Sequence, residues 1–150
     1  MSDQRRLQIG LTALRFSIGA FFLVWSVEKL IAPELTQRVF TTFYLIDLPL
    51  AGSYAIGIVQ TLIVLAFIAG LFKTLSYGAL LAMHAVSVAS TYERLINPYE
   101  PPNHLFWAGV PVLAALALLY QVRRQDVWLA WPAKGTADTP ASARLQAGER

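Results

Sequence analysis

Three side chains able to do chemistry sit where an apolar chain should not hold them: Arg15, Gln60 and His84. Each lies inside a long run of apolar residues, where an unpartnered polar group is costly. At 100° per residue, Arg15, Gly19, Phe22, Ser26 and Lys29 share one stripe of a helix, and Glu28 faces elsewhere. A cation on that stripe could hold an anionic or quinone-like head group, or pair with a polar residue on another helix. It could equally snorkel toward water and set orientation. Gln60 needs hydrogen-bond partners and is expected to face other helices, more as an interhelical tie than as a ligand contact. His84 shares a stripe with Tyr77, Ser87 and Thr91. It could carry a proton or bond a quinone, and a neutral histidine bonded to a neighbouring helix is the reading favoured. The candidate ligand-facing interior is therefore Arg15, Ser26, Gln60, Tyr77, His84 and Ser87, with no catalytic residue assigned.

Much chemistry is excluded. The chain has no cysteine, so thiol–disulfide exchange, thiolate metal sites and iron–sulfur clusters fall away. Its only other histidine, His104, lies roughly 15 Å from His84 along the bilayer normal, so the two cannot ligate one haem. The carboxylates Glu28, Glu34, Asp47, Glu93 and Glu100 gather near His104 without compact ligand spacing, and Lys29, Arg38 and Arg94 can pair with several of them. A solvated rim is expected there, with no metal and no required cofactor.

The elements that must position these residues are apolar spans. Apolar residues make up 56% of the 150 and charged residues 14%, against about 25% charged in soluble domains. Runs at 9–31, 51–72, 75–96 and 105–122 each approach the roughly 20 helical residues that cross a bilayer. The expected fold is all-α: an integral membrane four-helix bundle, up-down-up-down, over residues 1–131. Residues 34–46 place Leu35, Val39, Phe43 and Ile46 at helical spacing, which predicts a short amphipathic interfacial helix between the first two spans. Asn103 is expected to cap the fourth span and Pro111 to kink it. Val127 to Trp131 reads as an aromatic anchor at the headgroups, and 132–150 as a disordered cytoplasmic tail. The run at 9–31 is longer than a signal-peptide core and carries Arg15, so cleavage is not expected.

The net charge of +3 does not point to nucleic acid. Arg5, Arg6, Lys73, Arg123, Arg124, Lys134, Arg144 and Arg150 fall on one side of the predicted spans, and only Lys29, Arg38 and Arg94 on the other. That bias places both termini in the cytoplasm.

The run Leu14-Arg15-Phe16-Ser17-Ile18-Gly19-Ala20-Phe21-Phe22, ending at Glu28-Lys29-Leu30 and Pro33, resembles the first span of the DoxX-like membrane proteins. The resemblance continues through Leu48-Pro49, Gly57-Ile58-Val59-Gln60, Ala69-Gly70-Leu71-Phe72 and Asn97-Pro98, and so covers about residues 9–125. The chain departs from the pattern at Gln60, where the family often has glutamate, and at Glu28, where a histidine or small residue is common. The resemblance implies a four-helix protein of the bacterial plasma (inner) membrane. Some members are subunits of quinone-linked sulfur oxidation or of complexes tied to oxidative stress, and related eukaryotic proteins act as cargo or assembly factors. Expected partners are the lipid bilayer and a membrane or peripheral redox protein, with quinone the ligand implied. An assembly factor is the alternative. A small transporter is less favoured, since four spans would need a homo-oligomer.

Overall fold

A computed structural model describes residues 2–131, and the predicted tail at 132–150 lies outside them. The described chain is all-helical. Helix α1 spans Asp3–Ile31, beginning well before the apolar run. Ser2 caps it, its hydroxyl accepting from the Arg5 amide at 3.4 Å, and Asp3 favours the positive helix end. The apolar run marks where hydrocarbon would be, whereas the cap decides where the helix starts. Pro33 ends α1 and opens α2, Pro33–Val39. The segment predicted as one amphipathic helix changes pitch, becoming a π-helical turn over Phe40–Tyr44 that stops at Leu45 in the left-handed region, φ 56°.

Helix α3 spans Leu50–Ile68 and α4 spans Lys73–Ser90. Gly70 (φ 67°) and Phe72 (φ 45°) reverse the chain between them. The third predicted span does not continue to residue 96: α4 stops at Ser90, and a short α5, Tyr92–Ile96, follows. Thr91 sits at the break, its hydroxyl donating to the Val88 carbonyl at 3.0 Å and competing with backbone donors. The fourth predicted span begins as a 3-10 turn, Asn103–Ala108, and continues as α6, Gly109–Gln121. Asn103 is not its cap. Its buried amide instead donates to the Asn97 carbonyl at 3.0 Å and accepts from Arg94 at 3.5 Å, holding the proline-rich loop. Pro111 falls in the first turn of α6, where a missing N–H breaks no intrahelical bond.

Three helical stretches are long and apolar enough to cross a membrane: Asp3–Ile31, Leu50–Ile68 and Asn103–Gln121. Helix α4 is not among them. Lys73, Ser76, Tyr77, His84, Ser87 and Ser90 dilute its apolar content.

Packing follows the small residues. Gly19 of α1 faces Ile68 near the end of α3, and Gly57 faces Leu30, where an added Cβ would lie 2.7 Å from the Leu30 methyl; α1 and α3 are therefore antiparallel. Gly78 packs on the Tyr120 ring while Gly109 packs on His84 and Val88, which makes α4 and α6 antiparallel too. The buried core joins Leu11, Ile18 and Phe22 of α1 to Val64 and Phe67 of α3, Tyr77 and Leu80 of α4, and Leu116 and Leu119 of α6. The Phe67 and Tyr77 rings meet at a tilt of 59° with centroids 4.6 Å apart across the α3–α4 turn.

Candidate functional site

The side chain of Arg15 is fully buried, with no exposed surface. What receives it is neither another span nor an open cavity. Residues 122–131 fold back under the bundle as a series of turns and deliver two consecutive carbonyls to it. Arg15 Nη2 donates to the Trp128 carbonyl at 2.8 Å and to the Leu129 carbonyl at 2.9 Å. Thr12, one turn earlier, donates to the same Trp128 oxygen at 3.1 Å. Two carbonyls converge because Leu129 is left-handed, φ 50°, which turns the chain sharply at that residue.

The charge partner is Asp126, also fully buried, with Oδ2 lying 3.6 Å from Arg15 Nε. The same oxygen accepts a 2.6 Å hydrogen bond from the Tyr77 hydroxyl. The Asp126 backbone carbonyl takes the Lys73 ammonium. One returning segment thus ties α1 and α4 together through charge and hydrogen bonding. Arg15 Nη1 lies against Gly70, where any side chain would also meet the Ala130 Cβ at 2.6 Å. Glycine there serves two demands, a positive φ and room for the guanidinium. The Trp131 amide donates to the Ala69 carbonyl at 2.9 Å and closes the segment against the α3–α4 turn.

The remaining sequence candidates are placed elsewhere. His84 is buried against Phe22, ring centroids 5.3 Å apart, and its Nε2 lies 2.8 Å from the Gly109 carbonyl. A carbonyl only accepts, so that nitrogen carries the proton. Ser26 is fully buried and donates to the Leu23 carbonyl at 3.1 Å within its own helix. Gln60 is half-buried on α3, and its amide makes no hydrogen bond among the described residues. Ser87 is exposed, its carbonyl accepting from Ser90 at 2.8 Å. Of the six candidates, the structure brings only Arg15 and Tyr77 to one place.

Two open grooves lie apart from all six. One, of about 520 Å³, is lined by Glu34, Gln37, Arg38, Thr41, Thr42, Asp47 and Leu48. The other, of about 270 Å³, is apolar and runs between α1 and α6 past Leu14, Phe21 and Val112. No group of three or more histidine, cysteine or carboxylate side chains among the described residues could hold a metal ion.

Asp126, the partner that defines the site, is not among the residues singled out from the sequence. A signal was present. Asp126 and Asp3 are the only carboxylates among residues 2–131 on the basic side of the spans, the side nearer Arg15. Comparison with family models, with characterised proteins and with solved structures finds no match to this chain.

Proposed function

We propose that this chain is an integral membrane accessory subunit, DoxX-like in kind, that serves a membrane redox or oxidative-stress system without catalysing a reaction itself. In this reading the four long helices cross a bacterial plasma membrane up-down-up-down, with both termini cytoplasmic and α2 with its π turn in the outer interface. The observation that carries the accessory role is how the interior polar groups are used. Arg15, Tyr77 and Asp126 hold the chain to itself, and the donor nitrogen of His84 is taken by the Gly109 carbonyl. The polar groove from Glu34 to Leu48, open to water in this reading, supplies a surface for a partner protein.

Affinity purification of the tagged chain from native membranes, with lipid extraction and mass spectrometry, tests this. A redox-enzyme subunit recovered in fixed proportion, together with peroxide sensitivity in a deletion strain, is the expected result. Recovery of the chain alone, with respiration and peroxide tolerance unchanged on deletion, overturns it. An assembly-factor role is the second reading. It draws on the change of pitch at Phe40–Tyr44, which leaves Leu45 and Ile46 exposed beside the groove. A transient client lost on altering residues 40–46, with no stable partner, would favour it.

A further inference from the structure

The basic end of the molecule carries two kinds of arginine. Arg15 and Arg123 are engaged: Arg15 by the returning segment, Arg123 by the Tyr120 ring at 4.2 Å, the Tyr120 carbonyl at 2.6 Å and the Thr74 hydroxyl at 3.2 Å. Arg5, Arg6 and Arg124 are exposed, and their guanidinium groups bond to nothing among the described residues. Gln8 brings them together. Its side-chain oxygen accepts from the Val127 and Trp128 amides at 3.1 Å each, and its amide donates to the Gln125 carbonyl. The first turns of α1, with Arg5 one turn before Gln8, are therefore stitched to the segment that follows Arg124.

The returning segment is two-faced. Its carbonyls and Asp126 point inward to Arg15, while Val127, Trp128, Leu129 and Trp131 are 47–68% exposed. An aromatic and aliphatic rim beside three guanidiniums with no partner among the described residues, where Asp3 is also the only exposed carboxylate at that end, matches one surface. That surface is apolar below and negatively charged above. Indole rings favour the headgroup level, and arginines there attract anionic lipid.

We propose that the face formed by Arg5, Arg6, Arg124, Trp128 and Trp131 binds the headgroup of an anionic phospholipid. The proposal rests on the membrane placement given under the proposed function. Lipid bound on the outer face and Arg15 bound on the inner face then hold the same ten residues from both sides, so anionic lipid should also steady the closed position of this segment.

The test uses full-length protein carrying Trp25→Phe and Trp107→Phe, so that red-edge excitation, which spares the tyrosines, reaches only Trp128 and Trp131. It is reconstituted in phosphatidylcholine vesicles containing a fixed fraction of acyl-brominated phosphatidylglycerol or, in parallel, acyl-brominated phosphatidylcholine. Stronger quenching by the brominated phosphatidylglycerol is expected, with the preference falling as salt is raised. Each of Arg5→Gln, Arg6→Gln and Arg124→Gln should lower the lipid preference by up to about fivefold, and the triple variant should abolish it. Far-ultraviolet circular dichroism checks that the triple variant is folded, and the salt series on the unaltered arginines stands independently of it. Equal quenching by both lipids overturns the proposal while leaving membrane insertion intact. Equal quenching with an acidic protein retained only by the unaltered arginines assigns the face to that protein, and also overturns it. Absence of quenching by either lipid, with the chain extracted by alkaline carbonate, removes the membrane placement itself.

Discussion

Arg15 shows how little a residue's type says about its task until its partner is known. A buried guanidinium needs its charge and its donors met, and here two backbone carbonyls take Nη2 and one carboxylate supplies the opposite charge, while Nε and Nη1 have no hydrogen-bond partner among the described residues. Removing one side of a buried pair leaves the other uncompensated. Arg15→Ala or Asp126→Ala is therefore expected to destabilise the fold by about 3–5 kcal/mol, while the double substitution costs less than the sum. Thermal unfolding in one detergent across the four proteins of the cycle measures this, and additive losses would refute direct coupling. Tyr77→Phe removes a 2.6 Å bond to the same carboxylate and should cost about 1–3 kcal/mol. His84 belongs to a smaller arrangement. His84→Gln, which keeps a side-chain donor, should unfold at a higher temperature than His84→Leu, which leaves the Gly109 carbonyl without that donor.

At the scale of elements, the decisive features are glycines at close approaches and the turns that end helices. Gly70 lies where φ is 67° and where a Cβ would strike both Arg15 and Ala130. Gly70→Ala should therefore detach residues 122–131 as well as strain the α3–α4 turn. Faster proteolysis within 122–131, with the helical signal of the bundle retained, is the expected outcome; unchanged cleavage would show that the segment is held without this contact. Gly19 answers to a different constraint. Its conformation is helical, but its missing side chain lets α3 approach at Ile68. Gly19→Ala should cost about 1–3 kcal/mol by overpacking, and Ile68→Ala in the same chain should recover part of it. No recovery would mean that the seam is not set by that pair. The shortened α4 and the 3-10 start of α6 share one cause. Both ends meet in the loop 91–108, where side-chain hydrogen bonds from Thr91, Asn97 and Asn103 replace helical ones.

For the molecule as a whole, the charge distribution makes a prediction about sides. The absence of native cysteine allows single cysteines to be introduced without background. Cysteines replacing Arg5, Thr74 and Arg124 should react with an impermeant thiol reagent only from the cytoplasmic side, and those replacing Thr42 and Tyr99 only from the opposite side. Labelling of Thr74 and Thr42 positions from the same side would exclude the crossing of α3. The polar content of α4 has a consequence at this scale too. Tyr77 and His84 take their partners from Asp126 and the Gly109 carbonyl, outside their own helix, so the polar face of α4 depends on the bundle for its place.

Helical character, the approximate positions of the long apolar helices and the segregation of basic residues are legible in the sequence, because each depends on local composition and period. The sequence also singled out Arg15 and His84 as polar groups needing partners, since burial in an apolar run creates that need whatever the fold. Only tertiary structure decided which partners they have. Asp126 lies 111 positions from Arg15 in the chain, and two of the acceptors of Arg15 are backbone carbonyls, which every residue owns and no side-chain pattern reveals. The segment read as an aromatic anchor is held by those contacts from within. That difference arises because its side-chain preference for the interface and its backbone's affinity for a buried cation act on opposite faces of the same ten residues.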